Sequence, residues 1–149
     1  LENTDRDDLM NYSIQLSKDF KALKVWMTIK TYGYKVIKKS IKNDISMAQY
    51  AYKLICNNDR FETIHKPELS ILCFKYKGKV KSSDSSNVNK KIIDIIEEDG
   101  RIFLSGTVIN GKNVLRINCI NHRRKKSDID YLFKVLEELG EKAEKQLSV

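Results

Sequence analysis

The sequence predicts an α+β domain: an antiparallel sheet of about four strands with helices on one face, in the order α-α-β-β-α-β-β-α. Three observations carry this reading. Apolar residues recur at three- and four-residue steps from Phe20 to Ile55, the period of amphipathic helices. From Phe61 onward the pattern changes to short β-prone runs. Two of those runs flank Asn110-Gly111, a pair that supplies the positive φ needed at both centres of a type I′ hairpin turn. Paired antiparallel strands alternating with helices make a sheet covered by a helical layer.

The elements follow in order. Residues 1–18 are polar and aspartate-bearing and read as an extended connecting segment, in which Tyr12, Ile14 and Leu16 alternate. Phe20, Leu23, Trp26, Met27 and Ile29 mark a helix over 19–32, with Lys21, Lys24 and Lys30 on its other face and Gly33 as its stop. Ile37, Ile41, Ile45, Ala48, Tyr52 and Ile55 mark a second helix over 34–56, closed by Asn57-Asn58-Asp59. Phe61 to His65 reads as a short strand, Pro67 breaks it, and Leu69 to Tyr76 reads as a stronger one. Lys77 to Asn87 is a polar loop. Ile92, Ile93, Ile95 and Ile96 give a compact helix ending at Gly100. Ile102 to Ile109 and Asn113 to Ile120 form the hairpin. Ser127, with Asp130 three residues on, opens the last helix in the manner of a capping box. Ile129, Leu132, Phe133, Leu136 and Leu139 supply its apolar face, and Lys142 and Lys145 suit its C-terminal dipole.

Composition narrows the function classes. A chain of 149 residues suits one domain, and 41% hydrophobic with 32% charged residues excludes wholesale disorder. No apolar run is long enough for a membrane span, and the acidic, polar start predicts no signal peptide. The chain opens on Leu1 rather than Met, as an excised or processed piece does. The net charge of +8 is shared: thirteen basic face nine acidic residues in 1–75, and fifteen face eleven in 76–149. Neither half is a basic arm. Cys56, Cys73 and Cys119 lack CxxC spacing and read as reduced core thiols of a cytoplasmic protein. His65 and His122 stand apart from them in sequence, so no metal site is expected.

No P-loop, G-x-S-x-G, H-E-x-x-H or G-x-G-x-x-G occurs. Sequence order leaves a Cys–His pair open, but Cys73 and Cys119 fall in apolar strands, where packing is the commoner role. Lys66, between His65 and Pro67, reads as a turn lysine rather than a Schiff-base lysine. Tyr32 and Tyr34 around Gly33 read as a cored or half-buried aromatic pair. Arg116, the arginine inside a predicted strand, needs an anionic partner, either a structural carboxylate or a ligand. Arg123-Arg124-Lys125-Lys126 reads as a solvated loop, and the lysines of the second helix as a solvated face. The alternative for this cationic surface is a free-standing binding module for nucleic acid or an acidic protein.

A family resemblance takes the reading further. Gln15-Leu16-Ser17, Phe20, Ala22-Leu23-Lys24-Val25-Trp26 and Tyr32-Gly33 resemble the start of the C-terminal region of group II pyridoxal-phosphate-dependent amino-acid decarboxylases. Asp59-Arg60-Phe61-Glu62 and Pro67 to Phe74 resemble two further family patterns. So do Val114-Leu115-Arg116-Ile117, Asn121-His122-Arg123 and Ser127-Asp128-Ile129-Asp130. The match covers nearly the whole chain, in order.

The resemblance implies the small domain of a fold type I pyridoxal-phosphate enzyme: 1–18 as the connecting segment and 19–149 as the small domain with its two leading helices. It implies a carboxy-lyase acting on an L-amino acid, with an aromatic substrate favoured by the pattern around Gln15 to Trp26. It places the Schiff-base lysine and the other cofactor-binding groups upstream. No catalytic, cofactor-binding or metal residue is therefore expected in these 149 residues, and the piece alone is expected to be inactive and to bind no pyridoxal phosphate. The implied partners are an N-terminal large domain, a second subunit in a homodimer, and the amino-acid substrate; none is a membrane. An apolar surface that meets the large domain would be exposed here and open to weak self-association. Lys18 stands where the family carries an arginine near the active-site entrance, which makes it substrate-proximal in the intact enzyme; lysine keeps the charge but lacks the bidentate fork.

Overall fold

The computed structural model describes Tyr12, Ile14, 19–78 and 85–147. The chain divides into two compact units, Leu1–Ile37 and Lys38–Val149. Its elements are α1 (Lys21–Cys56), β1 (Phe61–Thr63), β2 (Ile71–Tyr76), α2 (Ser85–Asp99), β3 (Ser105–Ile109), β4 (Lys112–Asn118) and α3 (Lys126–Leu147).

In the first unit the helix begins where the Lys21 and Leu23 amides bond to the carbonyls of Asp19 and Phe20. The two helices expected on either side of Gly33 are present as one α1 interrupted at that residue, whose φ of 74° and ψ of 155° lie outside the helical region. Only glycine occupies that region readily. No atom stands within 4 Å of where a Cβ would sit, so the requirement is one of backbone angle alone. Every described side chain from Asp19 to Tyr32 is exposed. Tyr32 and Tyr34 are exposed as well, not half-buried as the sequence suggested: the apolar period specifies a face, and no described residue of this unit encloses it.

The second unit holds the core. The sheet order is β1-β2-β4-β3, antiparallel throughout. Strand alternation turns Leu72, Phe74, Tyr76, Leu115 and Ile117 toward the helices, where Ile92, Ile95, Ile96, Phe133, Leu136 and Leu139 meet them. Met47, Ala48, Ala51 and Ile55 line the buried stripe of α1, so the stripe lies further along than Ile37 and Ile41 implied, and Ile41 is exposed. Phe61 sits 5.3 Å from Phe133 and 5.8 Å from Phe74 in edge-on contacts. Tyr76 is buried, and burial first, then the Glu144 carboxylate, pushes its phenol up to about 12. A Cβ at Gly140 would collide with the Tyr76 ring, which explains glycine inside α3.

Three of the boundaries that differ from the sequence reading have a local reason. Helix α2 begins at Ser85, inside the expected loop. Its first turn is held by Ser86 Oγ, which accepts from the Asn113 backbone amide at 2.9 Å. Asn89, fully buried, clasps the end of β2, accepting from Tyr76 N and donating to Tyr76 O. β3 starts only at Ser105 because Ile102 to Leu104 pack as irregular chain behind Arg101, whose side chain bonds Asp99 and Glu138. The N-terminus of α3 is closed not by Ser127 and Asp130 but by Asp128, whose Oδ2 accepts from Lys125 N at 2.8 Å. Asp130 instead accepts from the Tyr50 hydroxyl. The turn at Asn110 (φ 50°) and Gly111 (φ 72°) has the positive φ values expected.

Candidate functional site

The helices of the second unit pack on one face of the sheet, and the other face carries Arg116, Ser105 and Cys73. The Asn110-Gly111 turn fixes Ile109 opposite Lys112, and counting back by pairs sets Ser105 opposite Arg116. On the other side of β4, Arg116 faces Cys73 of β2. Arg116 Nε donates to Ser105 Oγ at 3.0 Å. The structural carboxylate that a strand arginine suggests is not there: no ion pair is formed by Arg116 among the described residues. Ser105 was missed as its partner, although the hairpin register contained the signal.

The cysteines divide by position. Cys73 and Cys119 are buried and free, as core thiols. Burial pushes both thiols up, with Arg116 drawing Cys73 and Arg124 drawing Cys119 partly back. A raised thiol is a poor nucleophile near neutral pH. Cys56, at the end of α1, is exposed, which corrects the expectation of three core thiols. His65 and His122 are exposed, and no group of three metal-ligating side chains occurs among the described residues. The basic run after β4 is solvated as expected, with Arg123, Lys125 and Lys126 exposed and Arg124 half-exposed. Arg124 Nη1 donates to Asn118 O at 3.1 Å, and Lys126 Nζ lies 5.0 Å from the Tyr50 ring centre.

The first unit contains a cleft of about 390 Å³ lined by Phe20, Ala22, Leu23 and Trp26. Lys30 Nζ lies 5.8 Å from the Trp26 ring centre, a cation–π contact. Lys18, the residue expected to stand near substrate, lies outside the described residues. A second cleft of about 350 Å³ runs beside α3. Its carboxylates are engaged: Tyr50 donates to Asp130 at 2.7 Å and Asn58 to Glu137 at 2.6 Å.

A pyridoxal cofactor needs an enclosed amine. Every lysine among the described residues is exposed or half-exposed, Lys66 included. These residues therefore do not compose a pyridoxal site, and no chemical step is assigned to them.

An antiparallel four-stranded sheet with the helices of the second unit packed on one face defines an α+β domain. Comparison with known proteins identifies its family. The model of the pyridoxal-dependent decarboxylase conserved domain matches residues 1–77. The aromatic-L-amino-acid decarboxylase of Catharanthus roseus is 29% identical over 110 residues, 74% of this chain. Tyrosine decarboxylase 2 of Narcissus pseudonarcissus is 32% identical over 110 residues, 73% of this chain. The crystal structure of Catharanthus roseus tryptophan decarboxylase with L-tryptophan superposes on 95% of this chain with a TM-score of 0.80 at 25% identity. The chain belongs to the pyridoxal-dependent decarboxylase family. It spans 22% of the length of each of the two curated relatives and 30% of the solved chain. The reading as a free-standing basic module gains nothing from these matches. No helix among the described residues is long and apolar enough to cross a membrane.

Proposed function

We propose that this chain is the C-terminal small domain of a pyridoxal-phosphate-dependent carboxy-lyase that decarboxylates an aromatic L-amino acid. The single observation that carries the reading is the agreement of the family match over 1–77 with relatives named for tyrosine and aromatic amino acids. Residues 1–18 serve as its connecting segment and 19–149 as the small domain. The cofactor and its Schiff-base lysine belong to the large domain, which supplies the electron sink for the carbanion left when CO2 departs. Lys18 stands close to the substrate in the intact enzyme. The whole enzyme is a homodimer working in the cytoplasm, a compartment that suits three unpaired cysteines. The exposed stripe of Leu23, Trp26, Met27 and Ile29 is the surface on which the large domain closes.

Release of CO2 from carboxyl-labelled L-tyrosine and L-tryptophan tests the reading. The complete gene product, supplied with pyridoxal phosphate, is expected to release it, and the 149-residue chain alone is not. In the complete product Lys18→Ala lowers kcat/KM. Release by the chain alone, or none by the complete product from any aromatic amino acid, overturns the proposal.

A further inference from the structure

The cleft of about 350 Å³ between the end of α1 and α3 lies within the second unit. Along α3 the carboxylates are of two kinds. Glu138 and Glu141 are ion-paired, with Arg101 and with Arg60. Asp130 and Glu137, the two that line the cleft, form no ion pair among the described residues. Neutral donors hold them instead: the Tyr50 hydroxyl bonds Asp130 at 2.7 Å and the Asn58 amide bonds Glu137 at 2.6 Å. Asn58 is oriented in turn, since its Oδ1 accepts from Arg60 N at 2.9 Å. Arg60 acts on Glu137 only through space, its guanidinium being committed to Glu141. Leu54, half-buried, and Phe133, buried, give the cleft an apolar wall. Among the described residues Lys134 is the one cation that lines it, and it forms no ion pair there.

Residues 130 and 137 stand two helical turns apart on one face of α3, a rise of about 10 Å. Phe133 falls between them on that face, three residues after the first and four before the second. A carboxylate fixed by a neutral donor keeps its charge and loses little further freedom when a cation arrives. The apolar wall between the two suits methylene groups rather than a third charge. The chain is +8 overall, so its net charge repels cations and only local geometry can collect one. These terms describe a ligand with an ammonium at each end and a hydrocarbon stem between. We propose that the cleft is a binding site for a long-chain α,ω-diammonium compound, with one ammonium on Asp130, the other on Glu137 and the stem along Leu54 and Phe133. Asp130 is exposed and Glu137 half-buried, so each pair contributes modestly and is screened by salt. The inference stands on these residues alone and does not rest on the decarboxylase reading.

The test titrates the isotopically labelled 149-residue chain with 1,8-diaminooctane at low salt and neutral pH, where both ends of the probe are charged. Saturable shifts are expected in the side-chain amides of Asn57 and Asn58 and in the backbone amides from Asp130 to Glu137. Asp130→Asn and Glu137→Gln, which keep the shape and remove the charge, should each weaken binding about threefold to fivefold. Raised ionic strength should weaken it further. 1,4-Diaminobutane, too short to bridge the two carboxylates, and n-octylamine, with a single ammonium, should each bind about threefold or more weakly than the probe. Lys134→Ala removes the opposing charge and should tighten binding about twofold, and it decides the matter if either carboxamide variant does not fold. Octylamine binding as tightly as the probe would reduce the site to apolar adsorption and overturn the proposal. Diaminobutane binding as tightly would reduce it to a single ion pair and also overturn it. So would the absence of saturable shifts, shifts indifferent to both carboxamide variants, or weaker binding by Lys134→Ala. None of these signals depends on catalysis, so the site stands or falls apart from the function proposed above.

Discussion

The helix of residues 21–32 and the stretch of α1 from Met47 to Ile55 are both amphipathic, yet they meet opposite fates. The first carries large apolar side chains, Leu23, Trp26, Met27 and Ile29, and leaves all of them exposed. The second carries two alanines among its four buried residues, Met47, Ala48, Ala51 and Ile55, and buries them almost completely. Small residues let a helix approach neighbouring elements closely, which suits the dense core of the second unit. Large exposed residues in a row suit a surface that another body covers. Amphipathic period thus locates an apolar face; burial depends on what packs against it, as it does for the large residues Ile92, Phe133 and Leu136 of α2 and α3.

The largest effect that sharpens this contrast lies in the core. Phe133 packs against Phe61 and Phe74 at ring separations of 5.3 and 5.6 Å. Phe133→Ala is expected to lower the unfolding free energy by about 3–5 kcal/mol, from lost burial plus the cavity left behind. Urea unfolding followed by far-UV circular dichroism reads this directly. A loss below about 1 kcal/mol would mean that the second unit is not the rigid core described.

Next comes Asn89. Its amide satisfies both the N–H and the C=O of Tyr76 at a site with no exposure. Asn89→Ala strands these two backbone groups and should lower stability by about 1–3 kcal/mol. An unchanged transition midpoint would show that water or a shifted α2 replaces the amide.

Much of this architecture was legible in the sequence. The element order, the break at Gly33 and the Asn110-Gly111 turn follow from local chemistry: the period of apolar residues and the φ angles that particular residues accept. Long-range partners were less legible. Asn89 drew no reading because its role depends on meeting the end of β2. Asp128 displaced Ser127 as the cap because the reach back to Lys125 N is a matter of side-chain geometry that a motif of spacing does not resolve. Arg116 was read as needing an anion; the hairpin register could have named Ser105 beside it, but nothing local says that it forms no ion pair among the described residues.

The smallest effect is expected at Trp26, the single tryptophan, exposed at 58%. In the isolated chain Trp26→Ala should change unfolding free energy by no more than about 0.5 kcal/mol, because an exposed side chain removes little area from water. Circular dichroism rather than fluorescence must follow that transition, since the variant lacks the fluorophore. In the unsubstituted chain the same exposure predicts tryptophan emission that is red-shifted before unfolding and readily quenched by acrylamide. A loss beyond about 1.5 kcal/mol, or blue-shifted emission protected from quencher, would show the stripe already enclosed and would dissolve the contrast between the two regions. On the function proposed above, the same substitution in the complete gene product should be far more damaging than in the isolated chain, and the difference would measure what a covering domain contributes.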